Sequence, residues 1–228
     1  MGTGPTLARG SLERGQLPAD LVPEGFLLRR AWLGPDAQRA LVDDVLAAAS
    51  EAPPVRRMTP FGQKMSVAMT NFGPLGWVSD RSGYRYEPGP AAPGSRWPAM
   101  PPMLLAIWSA LGDRRAPADA CLMNVYKAGS RMGLHQDRDE ADPSFPVVSI
   151  SLGDAAVFRI GGPRRRGATR TLILESGDIV VLSGAARLCF HGVDRIISGS
   201  SELVPGGGRI NLTLRRAAPA EEPGGFST

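Results

Sequence analysis

The sequence predicts a β-rich α+β fold of the sandwich, jelly-roll or barrel type. Its 228 residues include 28 Gly and 21 Pro, a density that suits many short strands joined by turns. From residue 121 onward, short apolar or alternating runs are separated by turns that contain Gly. These runs are Cys121 to Tyr126, Val147 to Leu152, Val157 to Ile160, Thr171 to Glu175, Asp178 to Leu182, Leu188 to Phe190 and Arg209 to Arg215.

Two helices and a lid are expected before these strands. A short strand at Phe26 to Leu28 precedes Gly34-Pro35-Asp36, where a proline in the first turn and an acid near the positive end of the dipole begin a helix. A second helix is expected from about Ala99 to Leu111, with Gly112 at its end. Between them, Met65 to Pro98 carries aromatic residues among Gly, Pro and Arg without a long period, which is typical of a lid.

The domain organisation follows from composition. Residues 1–22 and 217–228 lack apolar periodicity, so we expect a disordered N-terminal tail and a flexible C-terminal tail. A single domain is expected at 23–216. Its lid covers about 57–98 and its strand-rich core about 119–216.

The bulk composition excludes several classes of protein. Hydrophobic residues make up 43% and charged residues 21%, as in soluble globular chains. The two cysteines show no CxxC spacing, and no run approaches the roughly 18 apolar residues of a membrane span. We therefore expect a cytoplasmic protein that does not contact a membrane. The net charge of +4 is compatible with a polyanionic partner but is too small to demonstrate one.

The only two histidines suggest a metal site. His135-Gln136-Asp137 places an imidazole and a carboxylate on one face of extended backbone, and His191 follows an aromatic at the end of a later strand. Two imidazoles and one carboxylate form the facial triad that holds Fe(II) with open coordination positions. An isolated HxD motif also occurs by chance, so the motif alone leaves both interpretations open.

The run from Arg209 to Arg215 suggests a dicarboxylate site. Its odd positions are polar and its even positions aliphatic, so one strand face presents two guanidinium groups. In one interpretation that face is wet and the aliphatic face lies in the core. In the other, the aliphatic face packs outward on a second sheet and each Arg pairs with one end of a dicarboxylate. Asn124 and Tyr126, two residues apart on another strand, could bind the same ligand.

Several segments together resemble the AlkB family of nucleic-acid dealkylating dioxygenases, in particular its bacterial members. The resemblance covers about Phe26 to Arg215, and the run from Met65 to Trp77 is more specific to the family than HxD or RxNxTxR. The segments are MSVAMTN at 65–71, LGW at 75–77, Gly83-Tyr84 with Tyr86, WPAMP at 97–101, Asn124 with Tyr126, HQD at 135–137 followed by Asp139-Glu140, FHG at 190–192 and the RxNxTxR strand.

The resemblance implies a double-stranded β-helix, that is a jelly roll, with flanking N-terminal helices and a nucleotide-recognition lid. His135, Asp137 and His191 would bind Fe(II). The two carboxylates of 2-oxoglutarate would be anchored by Arg209 and Arg215, with the assignment of ends left open. Three further residues would assist: Asn124, Tyr126 and Asn211. The enzyme would use O2 to convert 2-oxoglutarate to succinate and carbon dioxide while it hydroxylates the alkyl group, which leaves as an aldehyde.

The expected substrate is alkylated DNA, single- or double-stranded, with RNA as an alternative and with the enzyme acting as a monomer. A flipped base would stack on Trp77, with the His135 side of the pocket opposite. Asp139 would accept a hydrogen bond from the exocyclic amine of adenine or cytosine. Three residues would position the nucleotide or its backbone: Tyr84, Tyr86 and Arg165. From the residues alone, a partly buried core aromatic is the favoured interpretation of Trp77, and Arg165 could equally be part of a solvated hairpin tip.

One position departs from the family pattern, and two other functions compete. Leu182 stands where an aromatic is expected, which predicts a remodelled wall along the oxygen approach or the substrate pocket.

A related dioxygenase that hydroxylates a protein or a small metabolite would share the triad and the dicarboxylate site. It would have no evident need for the lid. A catalytically silent nucleic-acid binder would have no use for the metal ligands.

Overall fold

The computed structural model describes residues 23–90 and 94–219. The N-terminal tail expected at 1–22 lies outside the described residues, as does the part of the expected C-terminal tail after residue 219. The helices are α1 (Pro35–Ala49) and α2 (Pro102–Leu111). The strands are β1 (Phe26–Arg29), β2 (Ala68–Phe72), β3 (Gly76–Asp80), β4 (Gly83–Glu87), β5 (Ala120–Tyr126), β6 (Met132–His135), β7 (Val147–Gly153), β8 (Ala155–Gly161), β9 (Thr169–Leu174), β10 (Ile179–Leu182), β11 (His191–Ile197) and β12 (Arg209–Arg215).

Two antiparallel sheets face each other and form the jelly roll. The larger sheet has the strand order β1-β10-β7-β12-β5-β2, and the smaller has the order β6-β11-β8-β9. Strands distant in sequence lie side by side in both sheets, because the chain crosses repeatedly from one sheet to the other. A separate hairpin consists of β3 and β4. The predicted β-rich fold with flanking helices is confirmed.

The larger sheet is covered on both faces. Its outer face packs on α1 and α2 in a cluster that includes Leu41, Leu104 and Trp108. The aliphatic side of β12, namely Ile210, Leu212 and Leu214, belongs to this cluster. The expectation that this side packs on a second sheet is therefore wrong, because the two helices cover it. The opposite face meets the smaller sheet in a second cluster.

Three expectations for individual elements are corrected. The run at 188–190 is not a strand, since the Cys189 amide still donates to Ala186 O in a turn, and the strand begins at His191. A register shift between Val193 and Arg195 interrupts the alternation that would reveal β11 in the sequence. The second helix begins at Pro102 and not near residue 99, because proline disfavours helical backbone at the preceding residue. Within the expected lid, β2 is instead a strand of the larger sheet.

Among the residues described, no helix is both long enough and apolar enough to cross a membrane.

Candidate active site

The two histidines and Asp137 meet between neighbouring strands. His135 ends β6, His191 begins β11, and the two residues pair directly across the antiparallel strands. Asp137 follows two residues after His135, so its carboxylate reaches both rings. The distances are 3.8 Å from His135 Nε2 to Asp137 Oδ1 and 3.8 Å from His191 Nε2 to Asp137 Oδ2. The three ligand atoms all lie within 4.8 Å of one another.

The spacing of the two imidazoles depends on Gly192. A Cβ atom at this position would lie 2.6 Å from the carbonyl oxygen of Met132 and 2.9 Å from that of Gly133. A Cβ atom does not approach a carbonyl oxygen this closely, so β11 can lie this near to β6 only where the side chain is absent. The ring centroids of His135 and His191 are 4.5 Å apart as a result.

The protonation of the triad suits a metal ion. His135 Nδ1 lies 2.9 Å from Gly133 O, and His191 Nδ1 lies 3.0 Å from Cys189 O. A carbonyl oxygen only accepts, so each Nδ1 carries the proton and each Nε2 presents a lone pair. Burial lowers the pKa of His191 to about 4, and the neighbouring His135 adds to that shift. His191 is therefore a neutral ligand at neutral pH.

Asp137 supplies the anionic ligand. Burial alone would raise the pKa of Asp137, but Arg215 and the two imidazoles hold it well below its ordinary value. Two neutral imidazoles and one carboxylate are the donor set of non-haem Fe(II) oxygenases. The residues present therefore fit Fe(II).

Arg209 lies at the deep end of the site. It is 1% exposed, and its Nη2 donates to Ser151 Oγ over 2.6 Å while Nη1 donates to Asp154 O over 3.1 Å. Burial lowers the pKa of Arg209 to about 10, so the side chain remains cationic at neutral pH. Its Nε has no partner among the described residues. A buried cation with an open donor fits an anionic ligand.

Arg215 lies beside the metal ligands. Its Nη2 donates to Asp137 Oδ1 over 2.9 Å, and its Nε lies 3.0 Å from Glu140 Oε1. Its Nη1 is buried and, within the described ranges, has no hydrogen-bond partner. Two buried guanidinium groups with unused donors, both on the polar face of β12, fit the two ends of a dicarboxylate.

The three assisting residues lie on or beside the same strand. Asn211 pairs with Asn124 across β12 and β5, and Arg209 pairs with Tyr126. Asn211 Nδ2 donates to Ser149 Oγ and to Ile150 O, each over 2.9 Å. The side-chain oxygen of Asn124 is buried without a partner among the residues described. All three side chains therefore border the space between the two guanidinium groups.

A cavity of about 320 Å³ joins the metal, dicarboxylate and lid regions. The eight residues expected around iron and 2-oxoglutarate all line it, and so do Trp77, Tyr84, Asp139 and Arg165. Tyr86 does not. Leu182, which is 2% exposed, forms part of the wall, although its effect on oxygen approach stays a prediction.

The lid residues contact one another at the mouth of the cavity. Trp77 stacks on Tyr84 with ring centroids 5.3 Å apart and an interplanar angle of 19°. The indole Nε1 of Trp77 donates to Asp139 Oδ2 over 2.8 Å. Arg165 lies between β8 and β9, with its guanidinium carbon 5.9 Å from the centre of the Phe190 ring. The aromatic pair and the carboxylate of Asp139 thus form one connected surface.

Sequence reasoning missed two buried residues of this site. Glu140 Oε1 accepts from Tyr86 Oη over 2.6 Å, and Glu140 Oε2 accepts from Arg187 Nη2 over 2.9 Å. Arg187 also donates to Phe145 O over 2.8 Å and to the carbonyl oxygen of Asp137. Glu140 adjoins the HxD motif, but no pattern distinguishes an acid beneath a lid from one on the surface.

A jelly roll that holds two histidines and an aspartate beside two buried arginines defines the class of Fe(II)- and 2-oxoglutarate-dependent oxygenases. The sequence model of the protein family described as the 2OG-Fe(II) oxygenase superfamily matches residues 25–215. Fe(II) is thus the metal cofactor, and 2-oxoglutarate and O2 are the cosubstrates.

Comparison with individual proteins narrows the class. An alpha-ketoglutarate-dependent dioxygenase AlkB homolog of Caulobacter vibrioides is 60% identical over 213 residues, which is 93% of this chain and 96% of that protein. The AlkB dioxygenase of Escherichia coli K12 is 41% identical over 190 residues, 82% of this chain and 88% of the relative. The solved structure of OsALKBH1 superposes with a TM-score of 0.67 at 31% identity, covering 84% of this chain and 97% of that one. The chain belongs to the AlkB family.

Proposed function

We propose that this dioxygenase repairs N-alkylated nucleic-acid bases, of the N1-methyladenine and N3-methylcytosine type, by oxidative dealkylation. The observation that carries the proposal is the aromatic pair Trp77 and Tyr84, which lies with Asp139 at the mouth of the cavity that contains the metal ligands. A flat base with an exocyclic amine matches an aromatic face beside a carboxylate. Oxidation of a peptide or a small acid gives no reason for such a pair.

The two ends of 2-oxoglutarate are assigned by the position of each arginine. The 2-oxo acid end is the reactive end and must lie beside the metal ligands His135, Asp137 and His191. Arg215 contacts Asp137, so its open Nη1 binds the carboxylate of that end. Arg209, fixed on Ser151, binds the distal carboxylate.

Three neighbours complete the dicarboxylate site. Burial raises the pKa of Tyr126 to about 12, so its phenol remains a hydrogen-bond donor at neutral pH. The amides of Asn124 and Asn211 border the chain of the ligand between its two ends. These polar groups orient the cosubstrate, while the arginines supply most of its binding energy.

Fe(II) with 2-oxoglutarate and O2 supplies an oxidant that hydroxylates a C–H bond while 2-oxoglutarate becomes succinate and carbon dioxide. One oxygen atom of O2 enters succinate and the other enters the alkyl group. The resulting N–CH2OH group breaks at its C–N bond, which gives formaldehyde and an unmodified base. The protein must hold the alkyl carbon near the metal ligands and keep bulk water away from them.

The lid performs this positioning. A base inside a duplex cannot reach a buried metal site, so it must be flipped out and held by stacking. Trp77 provides the stacking face on the lid side, and the half-exposed His135 lies on the opposite side. Asp139 Oδ2 is occupied by the indole, and Oδ1 is left to accept from the exocyclic amine of the base. Tyr84 and Arg165 bind the sugar-phosphate backbone at the rim.

The central experiment measures loss of methyl mass. Purified protein, Fe(II), ascorbate and 2-oxoglutarate are mixed with oligonucleotides that carry N1-methyladenine or N3-methylcytosine, and mass spectrometry follows the product. We expect a loss of one CH2 per lesion together with stoichiometric succinate, and no loss with Asp137→Ala. Turnover of a peptide or a metabolite, with no mass change in any alkylated oligonucleotide, would refute repair.

The proposal also covers the cellular compartment, the oligomeric state and the preferred nucleic acid. We infer a cytoplasmic location, since Cys121 and Cys189 are both buried free thiols, as expected in a reducing compartment. A monomer is a separate part of the proposal. Light scattering of the purified protein tests the monomer, and a mass near twice 24.1 kDa would contradict it. Parallel assays on single-stranded DNA, duplex DNA and RNA identify the preferred nucleic acid.

A further inference from the structure

Beneath the lid lies a buried polar cluster of which the repair mechanism described above uses only Arg215. It consists of Tyr86, Glu140, Arg187 and Arg215. The side chains of Glu140, Arg187 and Arg215 are 2%, 3% and 7% exposed. Glu140 is the centre, since its carboxylate accepts hydrogen bonds from the Tyr86 hydroxyl over 2.6 Å and from Arg187 Nη2 over 2.9 Å. Its contact with Arg215 Nε at 3.0 Å is an ion pair without hydrogen-bond geometry. Side chains with such low exposure make few hydrogen bonds to water. The members of the cluster therefore satisfy one another's charges and hydrogen bonds.

The cluster links the lid hairpin to the strand that carries the cosubstrate arginines. Tyr86 belongs to β4 of the two-stranded hairpin, which pairs with neither main sheet. Arg215 ends β12 in the centre of the larger sheet and contacts Asp137. A continuous series of polar contacts therefore runs from the lid hairpin through Glu140 to Arg215.

Other side-chain hydrogen bonds also hold this hairpin: Trp77 Nε1 donates to Asp139 Oδ2 over 2.8 Å, and Trp97 Nε1 donates to Glu87 O over 2.9 Å. Asn71 bonds the backbone of Trp77 in both directions at 3.0 Å, and Ser79 Oγ donates to Met58 O over 2.6 Å. Of these contacts, the one made by the Tyr86 hydroxyl leads to Glu140, which in turn contacts Arg215. Burial raises the pKa of Tyr86 well above its ordinary value, so the hydroxyl keeps the proton that it donates.

We propose that Glu140 and Tyr86 are positioning residues that couple 2-oxoglutarate binding at Arg215 to the position of the β3–β4 hairpin. A carboxylate on the open Nη1 of Arg215 restricts the guanidinium. The restricted guanidinium fixes Glu140, and Glu140 fixes the Tyr86 hydroxyl. The hairpin then holds Trp77 in place before a base arrives. By linkage, a hairpin fixed by a bound nucleotide must tighten 2-oxoglutarate binding by the same factor.

Hydrogen exchange in the hairpin tests the coupling without turnover. Enzyme loaded with Fe(II) and kept free of oxygen is compared with and without saturating 2-oxoglutarate, and amide exchange is followed for peptides that cover residues 76–87. In the wild type we expect exchange to slow roughly fivefold when 2-oxoglutarate is added, the factor that one typical hydrogen bond provides. Tyr86→Phe keeps the ring and removes only the hydroxyl, so the slowing should disappear. Glu140→Asp withdraws the carboxylate and should give the same loss.

Ser79→Ala is the matched control. It removes one buried hydrogen bond from the same hairpin without touching Glu140, so its hairpin should exchange faster overall and still respond to 2-oxoglutarate. The coupling is overturned if the wild type shows no response, if Tyr86→Phe responds like the wild type, or if Ser79→Ala also loses the response. A purely structural Tyr86 would lower the thermal midpoint and leave the response intact.

The inference rests on the proposed function only in taking Arg215 as an anchor of 2-oxoglutarate. No nucleic acid is present in the exchange experiment. Failure of the repair assay therefore leaves this result standing, and a negative exchange result leaves the repair assay standing.

Discussion

Arg215 Nη2 donates to Asp137 Oδ1 over 2.9 Å, so the guanidinium proposed to anchor the cosubstrate also holds a metal ligand in place. Removal of Arg215 leaves Asp137 without this buried counter-charge, whereas removal of Asp137 leaves Arg215 with Glu140 as its remaining anionic neighbour. Metal binding and cosubstrate binding therefore share one side chain. Arg209, at the other end of the same strand, has no such contact with the triad.

Substitution of the two arginines should separate these roles. Arg209→Lys keeps the charge and loses the planar fork, so we expect the KM for 2-oxoglutarate to rise roughly 10- to 100-fold, which corresponds to one or two charge-assisted hydrogen bonds. Fe(II) affinity should stay unchanged. Arg215→Lys should raise the same KM and also weaken Fe(II) binding, measured by equilibrium dialysis without 2-oxoglutarate. Equal Fe(II) affinities in the two variants would contradict the role of Arg215 in holding Asp137 in place.

Loss of a triad ligand should abolish turnover. Asp137→Ala and His191→Ala each leave two protein ligands, which is too few to retain Fe(II) at a concentration equal to that of the enzyme. Succinate formation and Fe(II) retention after gel filtration provide two independent measurements. Turnover in either variant under these conditions would show that the metal ligands are different residues.

Trp77→Ala should impair nucleotide binding and leave cosubstrate chemistry intact. Loss of base stacking costs about 1 to 3 kcal/mol, or roughly 5- to 150-fold in kcat/KM for an N3-methylcytosine oligonucleotide. Slow succinate production without nucleic acid should persist. Trp32→Ala is the matched control, because Trp32 is 39% exposed and does not line the cavity. If both activities of Trp77→Ala fall together with the thermal midpoint, Trp77 is a core residue.

The buried cluster should contribute strongly to stability. Glu140→Gln leaves Arg187 and Arg215 without their shared anion, and breaking a buried ion pair costs about 3 to 5 kcal/mol in the free energy of unfolding. Arg39→Gln removes the exposed pair with Asp36 in α1 and should cost about 1 kcal/mol or less. Urea unfolding of both variants at one pH gives the comparison. A difference of less than 1 kcal/mol between them would show that solvent compensates Glu140.

The parts of the fold that follow a regular period could be predicted from the sequence. The strict alternation of β12 predicts a strand with one polar face, and Pro35 with Asp36 predicts the first helix and its start. The site residues on regular strands or in the HxD motif are brought together as the patterns suggest. The partner of the aliphatic face of β12 could not be predicted, since alternation does not reveal whether helices or a sheet cover it.

The rest depends on contacts between distant residues. Two adjacent charged residues, Asp194 and Arg195, both point outward at the bulge in β11 and hide that strand from any period-two pattern. Glu140 and Arg187 are buried only because each neutralises the other across 47 positions of the chain. A single sequence contains no local signal for such a pair. Tyr86 reads as a nucleotide contact on a lid, yet its hydroxyl points to Glu140.

Because position 192 is a glycine, main-chain contacts between β11 and β6 set the spacing of the metal ligands. The distance between the two imidazoles is limited by contact of β11 with the carbonyl groups of β6, and no ligand takes part in that contact. An alanine at position 192 would wedge the strands apart while it preserved every ligand, charge and hydrogen-bonding side chain. Such a variant would retain all three metal ligands and would still bind Fe(II) with lower affinity. The main chain at this position thus sets the geometry of the metal site in this protein.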